Sequence, residues 1–410
     1  MHARARGLTK RGRSAAATAT DDMDLSYIIN HLGEDRERYY GAVAPPIVQS
    51  SIFAFPTVAA MREGFRDELA NHVYTRGNNP TVEILRRKVA ALEGAEDCLM
   101  FASGAAAISA AVIASVRGGD HAICVARPYS WTRAVLRDLL GRFGVTTSFI
   151  DGTDIANFER ALTDATRLIV LESPNSMTFE QQDLAAVAEL AKARGIRTLC
   201  DNSWATPLNQ SPLALGIDMV AHSATKYLNG HSDVVAGALC AQRELIREVF
   251  RGPYMTLGAI LAPHDAWLMI RGLRTLPLRM QRIAATTAEV LAFLEAHPKV
   301  RRVYSPSATG NTQLGLGARQ LRGSSGLLTI ELDAPDVAAV ERFCDGLRRF
   351  LMTVSWGGYE SLLFPVAVVH PPDAPLHPPG ALPLNLVRLS IGLEEPEVLI
   401  RDLDEALERI

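Results

Sequence analysis

The sequence predicts an α/β protein, with a mostly parallel central sheet carrying helices on both faces and a smaller C-terminal α+β domain. Three observations predict it. From about residue 70 to 250, short apolar runs alternate with helical patterns, as they do when a crossover helix follows each strand. From about residue 265 that alternation gives way to one long helical pattern. The composition is that of a folded globular chain: of 410 residues, 48% are hydrophobic and 21% charged. A chain of this length suggests two to three domains and buries a large core without disulfides.

The elements follow in order. Asn79-Pro80 opens a helix, because Asn caps and Pro suits the first turn. Val82, Leu85, Val89 and Leu92 continue it at helical spacing, and Gly94 stops it. Apolar runs at His121–Ala126, Leu168–Leu171, Arg197–Cys200, Met219–Ala221 and Ala236–Cys240 read as strands. Between two of them Asp183 caps a helix that Gly195 closes. Cys98–Val116 is nearly uncharged, but it holds Ser103, Gly104, Ser109, Ser115 and many alanines, so it reads as a buried helix rather than a membrane span. Later come a helical run from Trp267 toward Glu295, a strand at Leu327–Leu332, a helix over Pro335–Arg348, a strand near Leu386–Ile391 and a closing helix from Pro396. The Pro-rich segment Val369–Pro383 reads as a surface loop.

Charge and cysteine usage exclude several functions. A net charge of −3 argues against a nucleic-acid binder. Five scattered cysteines with no CxxC pair fit a reducing compartment, and the location expected is cytoplasmic. The ten histidines are dispersed without metal-ligand spacing, so no metal is expected; His31, His222 and His231 read as packing or hydrogen-bonding residues. Gly315-Leu-Gly317 is no dinucleotide fingerprint, because it lacks a third glycine and follows no strand. The first residues carry Arg4, Arg6, Lys10, Arg11 and Arg13 without an acid or apolar run. That excludes a secretory signal and reads as a disordered basic arm or a transit peptide.

Chemistry concentrates in three places. Ser223-Ala-Thr225-Lys226-Tyr227 follows the strand Met219–Ala221. A lysine just beyond a strand end reaches the ligand crevice of an open sheet. Burial beside other cations lowers its pKa and makes it a nucleophile able to form a Schiff base. Taken alone, such a lysine is more often a solvated surface group. Asp201 ends an otherwise apolar strand 25 residues earlier. It is either a helix cap or a carboxylate that holds a ring nitrogen protonated. Phe101-Ala-Ser103-Gly104-Ala105 is a strand-to-helix turn of small residues, where backbone N–H groups and the helix dipole favour a phosphate. The three together are the parts of a pyridoxal-phosphate site.

Here the sequence resembles the pyridoxal-phosphate enzymes of cysteine and methionine metabolism, the transsulfuration family, from about His31 to the C-terminus. The resemblance rests on Ser-x-Thr-Lys-Tyr-x-x-Gly-His-Ser at 223–232, Tyr74-Thr-Arg76-Gly, Asp201-Asn-Ser-Trp204-Ala, Gly323-Ser-Ser-Gly326, Ser355-Trp356-Gly-Gly-Tyr359-Glu-Ser361 and Arg388-Leu-Ser-Ile-Gly-Leu-Glu394. Within the family the turn at Gly104, Leu171-Glu-Ser-Pro-Asn-Ser176 and Ser355-Trp356-Gly-Gly-Tyr359 look most like the bacterial cystathionine β-lyase branch.

The resemblance implies the aspartate-aminotransferase-like fold type I. It divides the chain into a disordered arm (1–25), a segment reaching a neighbouring subunit (26–75), a coenzyme-binding domain (76–265) and an α+β domain (266–410). It makes Lys226 the residue that binds pyridoxal 5'-phosphate covalently and serves as general base. Asp201 pairs with the ring nitrogen, and Tyr129 stacks on the ring and can pass a proton. Gly104, Ala105, Ser223 and Thr225 hold the phosphate, helped by Tyr74 and Arg76 of a neighbouring copy. Arg388, Ser355 and Trp356 form the pocket for an amino-acid substrate. Many relatives place an asparagine near the ring hydroxyl where this chain has Ser176, with Asn175 just before it. Either of the two then faces the ring. After Tyr129 many γ-acting relatives carry Gly-x-Thr or Gly-Cys-Thr, whereas this chain reads Ser130-Trp131-Thr132 with no cysteine there, which weighs against methionine γ-lyase.

The activity implied is carbon–sulfur cleavage. The main expectation is α,β-elimination of cystathionine, or another cysteine S-conjugate, to a thiol, pyruvate and ammonia. The alternative is γ chemistry: cystathionine γ-lyase, cystathionine γ-synthase or methionine γ-lyase. An idle binding relative would not need intact Lys226, Asp201 and Arg388. A homo-oligomer is implied, with four copies usual for the family, and neither nucleic acid nor membrane as a partner.

Overall fold

The computed structural model describes residues 23–371 and 373–410; the expected basic arm lies, up to residue 22, outside the described residues. The first described helix starts at Leu25, where the Asp24 carboxylate caps the N–H of Tyr27. Asn79 caps the helix Pro80–Glu93, its side chain accepting the N–H of Thr81, and Gly94 ends it in the left-handed conformation. Asp183 likewise caps Leu184–Ala193.

The strands are β1 (Asp97–Phe101), β2 (His121–Val125), β3 (Thr146–Ile150), β4 (Thr166–Glu172), β5 (Arg197–Asp201), β6 (Met219–His222) and β7 (Gly237–Ala241). They form one sheet in the order β1-β7-β6-β5-β4-β2-β3. All neighbours pair in parallel except β7, which runs antiparallel to both β1 and β6. β2 and β6 are buried along their whole length and β4 from Leu168 on, as helices on both faces require. A second sheet holds β8 (Val300–Tyr304), β9 (Leu327–Leu332), β10 (Leu351–Met352), β11 (Leu362–Pro365) and β12 (Leu386–Ser390), in the order β10-β11-β12-β9-β8. Its core is closed by the helices Val337–Gly346 and Pro396–Leu407.

Two expectations are corrected. The run Cys98–Val116 is not one helix. β1 occupies it to Phe101, and the helix is Gly104–Ser115, because Ser103 stops the strand and caps the N–H of Ala106. The long pattern from Trp267 is two helices, Pro263–Leu273 and Leu276–Ala296. They part at Arg274–Thr275 because Pro277 cannot continue a helix and fits only a first turn. Among the described residues no helix is long and apolar enough to cross a membrane.

Candidate active site

β4, β5 and β6 run parallel, so their carboxyl ends open on one edge of the sheet. Glu172 ends β4 and Asp201 ends β5, directly in register with each other. β6 ends at His222, and the turn beyond it carries Ser223 to Lys226.

Lys226 is half-buried. Its ammonium donates to the Ser355 hydroxyl and stands 5.4 Å from the centre of the Trp356 ring. Burial and the Arg388 cation bring the amine down to about 8, against the pull of Asp201. An amine so shifted is substantially neutral near physiological pH and can act as nucleophile and base. Gly357, in the left-handed region at φ +84°, packs against it; a Cβ there would lie 3.1 Å from the Lys226 Cβ. Ser355 also sits at positive φ (+79°), a conformation that favours glycine, so its hydroxyl is aimed at Lys226 at a backbone cost of about 1–3 kcal/mol.

Asp201 is held from one side. Its Oδ1 accepts the Ser203 N–H at 2.9 Å and the Ser203 hydroxyl at 2.6 Å. That hydroxyl in turn accepts the Ser223 N–H at 2.6 Å, tying Asp201 to the lysine turn. Oδ2 has no protein donor among the described residues and is left for a ligand. Burial pushes the carboxyl up, while the Ser203 bonds, His222 and Lys226 pull it down. Behind it His222 pairs with the buried Glu93 at 2.9 Å, and Glu93 accepts from Asn202 at 3.2 Å. His222 thus takes the hydrogen-bonding place expected of it.

The helix Gly104–Ser115 points its N-terminus at the same turn. Ser103 takes the N–H groups of Ala106 and Ala107, which leaves those of Gly104 and Ala105 without a protein acceptor among the described residues. A Cβ on Gly104 would lie 2.7 Å from the Ser223 Cα, so only glycine permits this approach. The Thr225 hydroxyl faces the backbone of Ala236, accepting its N–H at 2.9 Å.

Arg388, on β12, crosses from the second sheet. Its guanidinium donates to the carbonyls of Ser176 and Ser355, both at 3.3 Å. Burial lowers it to about 10, against the pull of Glu172. Trp356 is buried against Tyr227, so it serves the core as well as the wall beside Lys226. Tyr129 is half-exposed, and Asp201 and Glu172 both push its phenol up alongside burial. The side chain of Asn175 is committed to its own turn, its oxygen accepting the N–H groups of Met177, Thr178 and Phe179. Ser176 is the residue of the two whose backbone meets Arg388.

Tyr74 and Arg76 lie apart from these groups. They line a cleft of about 520 Å³ with Ser50, Ser51, Gly258 and Ile260. Arg76 stacks 5.2 Å from the Tyr74 ring and has no acidic partner among the described residues. Sequence reasoning missed Ser203 and Glu172. Ser203 was detectable as the third residue of an Asp-Asn-Ser turn. Glu172 closes an apolar strand as Asp201 does, and the same rule would have found it.

These residues fit pyridoxal phosphate by the chemistry of the donor set. A helix N-terminus offers two free N–H groups to a phosphate, a carboxylate keeps one oxygen open for a ring N–H, and a lysine of lowered basicity stands ready for an aldehyde. A mixed seven-stranded sheet with the lysine beyond β6 makes this a fold type I pyridoxal-phosphate enzyme.

Comparison with known proteins gives the family. The model for "Cys/Met metabolism PLP-dependent enzyme" matches residues 27–408. L-methionine gamma-lyase of Pseudomonas putida is 37% identical over 92% of this chain and 95% of its own length. Cystathionine gamma-synthase 1, chloroplastic, of Arabidopsis thaliana is 36% identical over 90% of this chain and 66% of its own. The crystal structure of metB from Corynebacterium glutamicum superimposes with a TM-score of 0.87 at 32% identity, covering 95% of this chain and 98% of that one. The chain belongs to the pyridoxal-phosphate-dependent enzymes of cysteine and methionine metabolism.

Proposed function

We propose that this protein is a γ-acting carbon–sulfur lyase. It converts L-methionine or a related thioether amino acid, with water, to a thiol, 2-oxobutyrate and ammonia. The observation that carries this reading is the full-length match to L-methionine gamma-lyases, with a cystathionine gamma-synthase beside them. It supports γ chemistry better than the β-elimination expected from the Gly104 turn, Leu171–Ser176 and the Ser355–Tyr359 segment. That segment forms a wall built partly for packing and so says little about the substrate.

The coenzyme, when bound, supplies an electron sink for charge developing at the substrate Cα. The residues that would hold it are Lys226, Asp201, Tyr129, Ser176, Ser223, Thr225 and the N–H groups of Gly104 and Ala105. Arg388 binds the α-carboxylate with a planar fork, beside Ser355 and Trp356. Lys226 would take the proton from Cα, hand it on to the bound coenzyme, and as a neutral amine again take one from Cβ, the second transfer being what γ-elimination adds. Tyr129 passes a proton to the departing sulfur. Tyr74 and Arg76 serve the phosphate of a neighbouring copy, a role supported by their unpaired cation and open cleft. The active unit is then an oligomer in the cytoplasm.

The test is keto-acid identity. L-methionine should release methanethiol and 2-oxobutyrate, and L-cystathionine should give 2-oxobutyrate. Pyruvate from cystathionine with no turnover of methionine would restore the β-lyase reading.

A further inference from the structure

Glu172 is buried, yet the chemistry just described does not use it. Its two oxygens are each taken by a backbone N–H from a different turn. Oε2 accepts from Tyr129 at 2.6 Å and Oε1 accepts from Ser176 at 3.0 Å. The first turn carries the aromatic ring of the site. The second offers its Ser176 carbonyl to Arg388 at 3.3 Å. Arg388 reaches on to the Ser355 carbonyl at 3.3 Å, and the Ser355 hydroxyl meets Lys226. One carboxylate at the end of β4 thus sits at the root of a hydrogen-bond path that crosses from the first sheet to the guanidinium on β12.

Glu172 stands in register with Asp201 on the next strand, and two buried carboxylates side by side are costly. Burial and Asp201 push the Glu172 carboxyl up, and the two N–H groups work against that rise. A carboxylate is nonetheless the group that fits, since both of its oxygens accept. A glutamine would present an NH₂ to one of the two N–H donors.

We propose that Glu172 is a positioning residue of the active site, setting Tyr129 against the coenzyme ring and, through the Ser176 carbonyl, setting Arg388 for the substrate carboxylate. This rests on the coenzyme site described above. The experiment compares holoenzyme of the wild type, Glu172→Gln, Glu172→Asp, Arg388→Lys and the double variant Glu172→Gln/Arg388→Lys. The readouts are the coenzyme dissociation constant, the visible circular dichroism of the bound coenzyme, KM and kcat, and the thermal midpoint of the apoprotein.

Glu172→Gln should weaken coenzyme binding about tenfold or more, change the dichroic band and raise KM more than it lowers kcat, while the apoprotein midpoint falls only by what one lost N–H acceptor costs. Glu172→Asp keeps the charge but loses reach, and should move the same readouts the same way. The double variant should fall short of the product of the two single effects, because both act on one guanidinium. The proposal is overturned if Glu172→Gln leaves the dissociation constant, the dichroism and KM within twofold of wild type. It is equally overturned if the Arg388→Lys effect is fully multiplicative with it. A wild type that binds no coenzyme would instead refute the site itself, a result separable from either.

Discussion

Two lysines of this chain are withdrawn from water in different company. Lys88, on the helix Pro80–Glu93, is fully buried and lies 3.0 Å from the Glu34 carboxylate, and its other protons go to the carbonyls of Ile28 and Ile29 at 3.0 and 3.1 Å. Glu34 is itself buried and also takes Arg36 and Arg274. Burial lowers the Lys88 amine and Glu34 draws it back. Among the described residues Lys226 has no carboxylate within pairing distance; its near neighbours are a hydroxyl, an indole face and the Arg388 cation. Burial is common to both, so burial does not make a lysine chemical. An acid and two backbone carbonyls together fill the N–H groups of Lys88 and fix it as an anchor for the N-terminal segment. A neighbouring cation and a neutral hydroxyl in place of an acid leave Lys226 free to lose its proton.

The contrast is broken most severely at Lys226. Lys226→Ala should lose covalent attachment of the coenzyme and reduce turnover by about 1,000-fold or more, since nucleophile and base are one group. Normal turnover in that variant would refute its role. Lys88→Met should behave in the opposite way. It leaves Glu34 buried with one cation fewer, and breaking such a pair costs about 3–5 kcal/mol of stability. Denaturant titration should show that loss while kcat per folded molecule stays at the wild-type value. A Lys88→Met protein of undiminished stability would mean that Arg274 and Arg36 alone satisfy Glu34.

Arg388→Lys tests the cation in the Lys226 surroundings. A lysine keeps the charge but cannot fork onto a carboxylate, so kcat/KM should fall by about 30-fold, or roughly 2 kcal/mol, mainly through KM. A change under threefold would remove Arg388 from the substrate site.

The same contrast shows what the sequence could tell. Strands of the first sheet were legible because β2, β4, β5 and β6 each carry a short buried, mostly apolar stretch that burial on both faces explains. The edge strands β3 and β8 were not, being half-exposed and carrying Thr, Ser and Arg. Lys226, Asp201 and Gly104 were legible because each stands where a strand ends, and strand ends set the crevice. Arg388 lies on β12 and Ser355 in the loop between β10 and β11, and both came only from the resemblance, since no local pattern brings the second sheet to the edge of β6. Lys88 was invisible as a buried group: on a helix surface it looks like any solvated lysine until Glu34 is folded over it.

The smallest effect is the most discriminating for Lys226. Only the neutral amine attacks an aldehyde, so the rate of coenzyme attachment to the apoprotein should follow the neutral fraction. With the amine at about 8, that fraction rises from about 10% at pH 7 to about 90% at pH 9, a gain of about ninefold that then levels off. An ordinary lysine would gain nearly 100-fold over the same interval and not level off before pH 10. The sign for stability is the same. The folded value lies below the unfolded one of 10.5, so this amine favours the apo fold above that pH and the contribution is lost as pH falls through about 8. Stopped-flow absorbance across pH 6.5 to 10 separates the two curves. Arg388→Met, which removes the neighbouring cation, should move the midpoint upward. A midpoint that stays put in that variant would leave burial alone as the cause, and the contrast with Lys88 would then rest on the absent carboxylate rather than on the nearby guanidinium.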